Sequence, residues 1–246
     1  MLLTPGAGSL RLASDEAHCW YASLEVPRDA SVRFYATLSA AERDRTARLR
    51  FRLDQQRFIA SHGVLRELLS RYLGVSPGRI RYRYNAFGKP DLSHEFGTRL
   101  KFNLSHSAGL AVIAVAPESE VGVDLECIQA GYDYRAIARC FFSPAEAAQL
   151  DALPPDPYAN AFVSYWTKKE ACLKGCGGGL SIPLSRVVVR PSDRPERNPV
   201  RLHVPSHDHV PATNWSVYTL RPVPGYVGAL AIPGKGWHLA EWEWRT

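Results

Sequence analysis

Predicted strands and helices follow one another in the same order twice along this chain, and that order constrains the fold more than any other feature. In the first half, a strand is followed by two helices, the second of which ends at Gly74, and then by further strands. The strands predicted in this half lie at residues 18–26, 79–84, 101–105 and 110–116. A break at residues 117–120 precedes the second half.

The second half repeats this order from a strand at residues 121–126. Ser143 and Glu146 form a capping box that predicts the start of a helix, and an apolar period of 3.6 predicts another helix at residues 160–175. The strands predicted after it lie at residues 186–190, 200–204, 214–220, 226–232 and 237–244. We therefore predict an α+β fold with two similar halves, residues 1–118 and 119–246.

Three carboxylates and a lysine are spaced so that a strand and a helix can present them to one ion. Asp124 and Glu126 alternate along the predicted strand and therefore leave it on the same side. Trp166, Glu170 and Lys174 lie at i, i+4 and i+8 of the predicted helix and therefore share one face. Because Mg²⁺ prefers oxygen ligands and also binds phosphate oxygens, these residues predict a site for Mg²⁺ and a phosphate ligand.

Simpler roles stay open when each of these residues is considered alone. Asp124 and Glu126 could end a strand in solvent and cap a turn. Glu170 could form a surface pair with Lys174, which would contribute about 0.3–0.5 kcal/mol. The conjunction of three carboxylates with a lysine favours the metal site over these alternatives.

Two further segments suit a ligand that carries phosphate. Ser105 and His106 supply hydrogen-bond donors at the end of a predicted strand. In the turn at residues 85–90, Gly88 lets a flat ring approach the backbone, and Lys89 can meet an anion. A structural histidine and an ordinary β-turn with a solvated lysine are the alternatives.

Charge and cysteine content limit the classes to which the protein can belong. The net charge is +6, and the six arginines between residues 43 and 57 either attract a polyanion or acidic protein or form a solvated helix face. Five scattered cysteines predict reduced thiols in the cytoplasm, and Cys172 and Cys176 lack the second ligand pair that zinc requires. No apolar run approaches the ~20 residues that span a bilayer, so we expect no membrane segment.

Four segments, taken together, resemble the Sfp-type 4′-phosphopantetheinyl transferases. In order along the chain they are Phe-Gly-Lys-Pro (87–90), Phe-Asn-Leu-Ser-His-Ser (102–107), Val-Gly-Val-Asp-Leu-Glu (121–126) and Trp-Thr-Lys-Lys-Glu-Ala-Cys-Leu-Lys (166–174). The Trp and the Lys-Glu-Ala resemble the W/KEA subgroup, which is associated with carrier proteins of polyketide and nonribosomal-peptide biosynthesis. The resemblance implies a pseudo-dimeric α+β fold in a monomer.

The same resemblance implies a reaction. A cytoplasmic enzyme would transfer 4′-phosphopantetheine from coenzyme A to a serine of an apo acyl or peptidyl carrier protein and release 3′,5′-ADP. It would use Mg²⁺ or Mn²⁺, and it would need neither nucleic acid nor a membrane. The serine proton would go either to Glu170 or to a metal-bound water that Glu170 relays.

Site residues are implied position by position. Asp124, Glu126 and Glu170 would hold the metal, and Asp124, Glu170 and Lys174 would be catalytic. The turn residues Gly88, Lys89 and Pro90 would contact the adenine end of coenzyme A. The residues implied at its phosphates are Arg45, Arg57, Ser105, His106, Lys169 and Lys174. The family often has a basic residue where this chain has Glu42.

Two other classes of protein remain as alternatives. A Mg²⁺-dependent nuclease is disfavoured because Ile128, not lysine, stands two residues after Glu126, and no aromatic and basic groove is evident. A non-catalytic binder of nucleotide or carrier protein would not need three metal carboxylates and Lys174. Three histidines match no part of the family pattern and predict a surface loop or an adventitious metal site: His203, His207 and His209.

Overall fold

Two four-stranded sheets organise the protein, whose computed structural model describes residues 10–189, 199–207 and 211–246. In spatial order the first sheet contains β10 (His238–Trp244), β1 (Glu16–Ser23), β5 (Leu110–Ala116) and β4 (Lys101–Ser107). The second sheet contains β6 (Gly122–Cys127), β9 (Tyr226–Pro233), β8 (Thr213–Leu220) and β7 (Val200–Val204). A separate hairpin pairs β2 (Tyr82–Tyr84) with β3 (Pro90–Leu92).

Helices begin and end at the residues that the sequence marks for this purpose. Among the described residues they are α1 (Arg28–Thr37), α2 (Ala40–Arg48), α3 (Arg52–Leu73), α4 (Tyr134–Phe141), α5 (Pro144–Asp151) and α6 (Pro155–Cys176). Capping boxes start α2 at Ser39 and α5 at Ser143, because each serine accepts the N3 amide and the N3 glutamate accepts the serine amide. Gly74 ends α3 with φ of 67°, a conformation that glycine adopts at little cost.

Apolar faces stack these elements in four layers, α–β–β–α. The helix α3 covers the outer face of the first sheet, where Leu68 joins Trp20 and Ile113 in one core cluster. The inner faces of the two sheets share a second cluster, while α6 covers the outer face of the second sheet, where Leu173 meets Trp215. The predicted α+β class with two similar halves is therefore confirmed.

Some predicted elements differ from the structure because their partners lie far away in sequence. The strand β10 pairs in parallel with β1, so the last strand belongs to the first sheet and departs from the predicted division at residue 118. The predicted strand at 186–190 is wrong over its described part, where a 3₁₀ turn at Leu184–Arg186 precedes an irregular segment. The helices α1 and α4 were not predicted. No described helix combines the length and apolar character needed to cross a membrane.

Close backbone contact brings β6 against α6. A Cβ atom on Gly122 would lie 2.0 Å from the carbonyl oxygen of Ala171 and 2.3 Å from the amide nitrogen of Gly175. A Cβ atom on Gly175 would lie 2.6 Å from the ring of Trp215. Only glycine fits at these two positions without displacing backbone or a buried ring, so the strand and the helix that carry the predicted site residues touch directly.

We predict that Gly122→Ala destabilises the protein by at least about 1–3 kcal/mol, because the new methyl group meets backbone atoms that cannot rotate away. Gly78→Ala is the matched control, since a Cβ atom there has no neighbour within 4 Å. Chemical denaturation of both variants measures the effect. Equal free energies of unfolding in the two variants would contradict the close contact.

Candidate active site

The site forms where β4, β6 and α6 meet. The strand β6 buries Val123 and Leu125 between the two sheets, so Asp124 and Glu126 leave on its other face. The helix α6 presents Lys174, one residue before the glycine that contacts β6, to this face. The structure thus brings the predicted strand carboxylates and the predicted helix lysine together.

Lys174, Asp124 and Ser105 form the best-defined contact of the site. Lys174 Nζ donates to Asp124 Oδ1 (2.5 Å) and to Ser105 Oγ (2.9 Å), and Ser105 Oγ donates to the same carboxylate oxygen at 3.0 Å. Asp124 is 3% exposed, yet its second oxygen, Oδ2, is buried without a hydrogen-bond partner. Because leaving a buried carboxylate oxygen unpaired costs free energy, this atom fits a bound cation.

The carboxylates influence one another electrostatically. Burial raises the pKa of Glu170 to about 7, and the negative charges of Asp124 and Glu126 add to this effect. Burial, followed by the charge of Asp124, raises the pKa of Glu126. Oxygen donors under mutual repulsion are the set that a hard divalent cation stabilises. Within the described ranges, however, no three acidic, histidine or cysteine side chains are already grouped so that they could hold one metal ion.

Positive charge surrounds His106, at the side of the first half. Loss of solvent around its ring lowers the pKa of His106, and the charges of Lys174, Arg57 and Arg45 lower it further. Arg57 Nε is buried without a hydrogen-bond partner, as an arginine that lacks its anion would be. The predicted phosphate residues Arg45, Arg57, His106 and Lys174 therefore share one electrostatic neighbourhood.

His62 belongs to the same neighbourhood but was not predicted from the sequence. Burial lowers the pKa of His62 to about 4, and the charges of His106 and Arg45 lower it too. Its Nδ1 lies 3.1 Å from the carbonyl oxygen of Phe58, and its ring stacks on the Phe58 ring. A histidine in the mainly apolar segment between Phe58 and Leu65 of α3 was the available signal.

The predicted contact of Lys169 with the phosphates is corrected, because the structure does not bring this lysine to the site. Its ammonium is fully buried and donates to Glu146 Oε2 (2.8 Å) and to the carbonyl oxygens of Leu184 (3.0 Å) and Val187 (2.7 Å). These acceptors use all three protons of the ammonium. One residue on a helix corresponds to a rotation of about 100°, so Lys169 faces α5 while Glu170 faces β6.

Lys89 also differs from its predicted role. The turn forms as predicted, with Gly88 at φ of 83° before Pro90, and Asn85 Oδ1 accepts the Lys89 amide at 2.9 Å. The Lys89 ammonium, however, donates to the carbonyl oxygen of Gly175 (2.6 Å) and pairs with Glu120. It joins the turn to the end of α6.

Two exposed rings, one beside this turn and one within it, were not predicted as contact residues. Tyr84 is 62% exposed and Phe87 is 42% exposed. Burial and then the charge of Glu42 raise the pKa of Tyr84, whereas the charge of Arg45 lowers it, so this ring lies close to both Glu42 and Arg45. Exposed aromatic faces beside positive charge suit a flat ring that carries phosphate.

A cleft lined with aromatic rings opens beside Glu126. It has a volume of about 270 Å³, and its wall includes Tyr132, Tyr134, Phe162 and Trp166. Trp166 packs among aromatic neighbours here, although it precedes Glu170 by one helical turn.

Of the three histidines outside the family pattern, His203 lies on β7 of the second sheet. His203 Nδ1 is 3.0 Å from Asn214 Oδ1 between β7 and β8. His207 is described but forms no part of the carboxylate cluster, and His209 lies outside the described residues.

Comparison with known proteins assigns the chain to a family. Residues 120–231 match the 4′-phosphopantetheinyl transferase superfamily, and residues 26–118 match the N-terminal part of a 4′-phosphopantetheinyl transferase. The chain is 36% identical to the 4′-phosphopantetheinyl transferase HetI of Nostoc sp. over 242 residues, which cover 98% of this chain and 97% of HetI. It is 31% identical to a Bacillus subtilis 4′-phosphopantetheinyl transferase over 65% of this chain and 70% of the relative.

A further similarity is shorter: the chain is 41% identical to AcpT of Salmonella typhi over 46% of this chain and 56% of AcpT. The matches define the class of protein first: an enzyme that transfers a phosphopantetheinyl group. The chain belongs to the 4′-phosphopantetheinyl transferase superfamily, whose members use coenzyme A as substrate.

We predict that Lys169→Met lowers the free energy of unfolding by about 3–5 kcal/mol, because Glu146 then becomes an unpaired buried charge. Transfer activity per folded molecule should stay near that of the unchanged enzyme. Calorimetry and a transfer assay measure the two quantities.

Lys168→Met is the matched control on the same helix and should cost less, since Lys168 forms no ion pair with a residue that the structure describes. Glu146→Gln added to Lys169→Met should recover part of the stability, because it removes the unpaired charge. A Lys169→Met variant with unchanged stability and lost transfer would restore the predicted phosphate role.

Proposed function

We propose that this enzyme transfers the 4′-phosphopantetheine group of coenzyme A to a serine of an apo carrier protein. In this proposal Mg²⁺ is required, Mn²⁺ can replace it, and 3′,5′-ADP is released. The observation that carries the proposal is the contact of Lys174 with Asp124 and Ser105, beside a buried carboxylate oxygen that has no protein partner. This arrangement supports the binding of a phosphate group by Lys174 and of a cation by Asp124.

Coenzyme A would bind along the positive side of the site. Arg45, Arg57, His62 and His106 would hold its phosphate groups, and the unpartnered Nε of Arg57 supports this placement. The adenine ring would lie near the turn at residues 85–90, where Tyr84 and Phe87 expose their faces. Lys174 would contact the diphosphate, because it is the cation between this positive region and the carboxylates.

The chemistry would exchange one phosphorus–oxygen bond for another. The serine oxygen of the carrier bonds to the β-phosphorus as the bond to 3′,5′-ADP breaks, and Lys174 neutralises charge on the diphosphate oxygens. Glu170 takes the serine proton, since burial raises its pKa to about 7, close to the value that suits a general base. Asp124, Glu126 and Glu170 would hold Mg²⁺, which when bound supplies further positive charge to the diphosphate.

The carrier protein would approach from the side of the aromatic cleft, because Glu126 lines both the cleft and the carboxylate cluster. We further propose acyl or peptidyl carrier proteins of polyketide and nonribosomal-peptide biosynthesis as acceptors. We propose that the enzyme acts as a monomer in the cytoplasm, and the free thiols of its five cysteines support a reducing compartment.

Mass spectrometry of an apo carrier protein incubated with the enzyme, coenzyme A and Mg²⁺ tests the proposal. A gain of one phosphopantetheine group that disappears with a chelator supports it. Carriers that stay unmodified, while coenzyme A and carrier still bind, would instead indicate a non-catalytic binder. Cleavage of added nucleic acid with no carrier modification would indicate a nuclease.

We predict that Glu170→Gln and Asp124→Ala each lower the rate of transfer by at least ~10²–10³-fold, since each removes charge from the reacting centre. Circular dichroism should show that both variants remain folded. Glu118→Gln is the control, because this carboxylate is 66% exposed and pairs with Arg99 in a surface turn. Transfer at the unchanged rate in Glu170→Gln or Asp124→Ala would reject the assigned residues.

We also predict that the association rate with an acidic carrier protein falls as ionic strength rises. The net charge of +6 attracts such a partner over a distance of about 8–10 Å in physiological salt. Stopped-flow measurements between low and high salt give the rate. A rate that does not change with salt would show that charge does not steer this encounter.

A further inference from the structure

Alternating polar side chains on β4 connect the two sheets at the site. Asn103, Ser105 and Ser107 all project towards β6, which belongs to the other sheet and forms no backbone ladder with β4. Their side-chain oxygens accept the backbone amides of Val123 (2.9 Å), Leu125 (3.3 Å) and Cys127 (3.1 Å), respectively. A run of polar side chains therefore replaces the backbone hydrogen bonds that a continuous sheet would have.

The two serines have an additional partner that Asn103 lacks. Ser107 Oγ donates its proton to Glu126 Oε2 (2.8 Å), just as Ser105 Oγ donates to Asp124. A hydroxyl group has one proton, so the amide that it accepts from Cys127 and the carboxylate to which it donates fix the orientation of Ser107 completely. At the level of Asn103, β6 carries Gly122 and no carboxylate.

From this geometry we propose that Ser107 is a positioning residue for the metal carboxylate Glu126. Its hydroxyl holds Oε2 against β4 and leaves the other oxygen of Glu126 to bind the metal. This inference rests on the proposed function, because it assigns a supporting role at the proposed metal site. Mutation of a residue that orients a metal ligand typically lowers metal affinity about 10–100-fold, and we expect an effect of this size for Ser107.

Ser107 could instead serve only to join the sheets. The Asn103→Ala variant distinguishes this structural role from the positioning of Glu126. Ser107→Ala and Asn103→Ala each remove one side-chain acceptor of a β6 amide, at sites that are both at most 9% exposed. Only Ser107→Ala also removes a hydrogen bond to a carboxylate. The two variants therefore share the structural loss and differ in the positioning loss.

The test measures Mn²⁺ binding to the purified full-length enzyme in the presence of coenzyme A, by electron paramagnetic resonance of free Mn²⁺. We expect the dissociation constant to rise about 10–100-fold in Ser107→Ala and to change by less than ~3-fold in Asn103→Ala. The melting temperature should fall in both variants. At saturating metal, Ser107→Ala should recover most of its turnover, because the defect lies in metal affinity.

Equal Mn²⁺ affinity in the two variants would overturn the proposal and leave Ser107 as a connection between sheets. The unchanged enzyme distinguishes this failure from failure of the proposed function. If the unchanged enzyme modifies a carrier but binds no Mn²⁺, the proposed metal site itself is wrong, and Ser107 cannot position its ligand. If the unchanged enzyme binds Mn²⁺ with the same affinity as the Ser107→Ala variant, only the positioning role of Ser107 is rejected.

Discussion

The backbone contact between β6 and α6 is the constraint on which the rest of the site depends. Gly122 and Gly175 allow the strand and the helix to approach so closely that a single methyl group on Gly122 would overlap backbone atoms. Asp124 follows Gly122 by two residues and Lys174 precedes Gly175 by one, so the same contact places the carboxylate 2.5 Å from the ammonium. The site residues that we assign to the second half lie on β6 and α6, so their relative positions depend on this contact.

Charge around that contact is divided between the two halves. The carboxylates stand on β6 and α6, while Arg45, Arg57 and His106 come from the first half, and Lys174 acts on both groups. One ammonium cannot satisfy three carboxylates, as the unpartnered oxygen of Asp124 and the raised pKa of Glu170 show. The proposed ligands match this division, since Mg²⁺ would lie beside the carboxylates and the phosphate groups of coenzyme A beside the arginines.

Local pattern in the sequence was enough to predict many of the helices and strands, including the two that carry Asp124 and Lys174. Period and capping predicted α6, β6 and the start of α5, because these features depend on neighbours within a few residues. Lys169 and Lys89 could not be assigned in this way. Their partners, Glu146 and the carbonyl oxygen of Gly175, lie 23 and 86 residues away. Lys169 and Lys174 lie five positions apart on α6 and therefore reach different environments. Lys169 forms a buried ion pair with Glu146, whereas Lys174 lies at the site.

The polar residues of β4 make the geometry of the site depend on how the two sheets pack together. The alternation of Asn103, Ser105 and Ser107 along β4 can be read from the sequence, but their target, an edge strand of another sheet, cannot. Because Ser105 and Ser107 bond both to the backbone of β6 and to its carboxylates, any shift between the sheets would move Asp124 and Glu126 away from the oxygens that hold them. It would also move them relative to the arginines of the first half. A ligand with phosphate groups on one side and a metal on the other would bridge this same boundary, so its binding should stabilise the docking of the two halves.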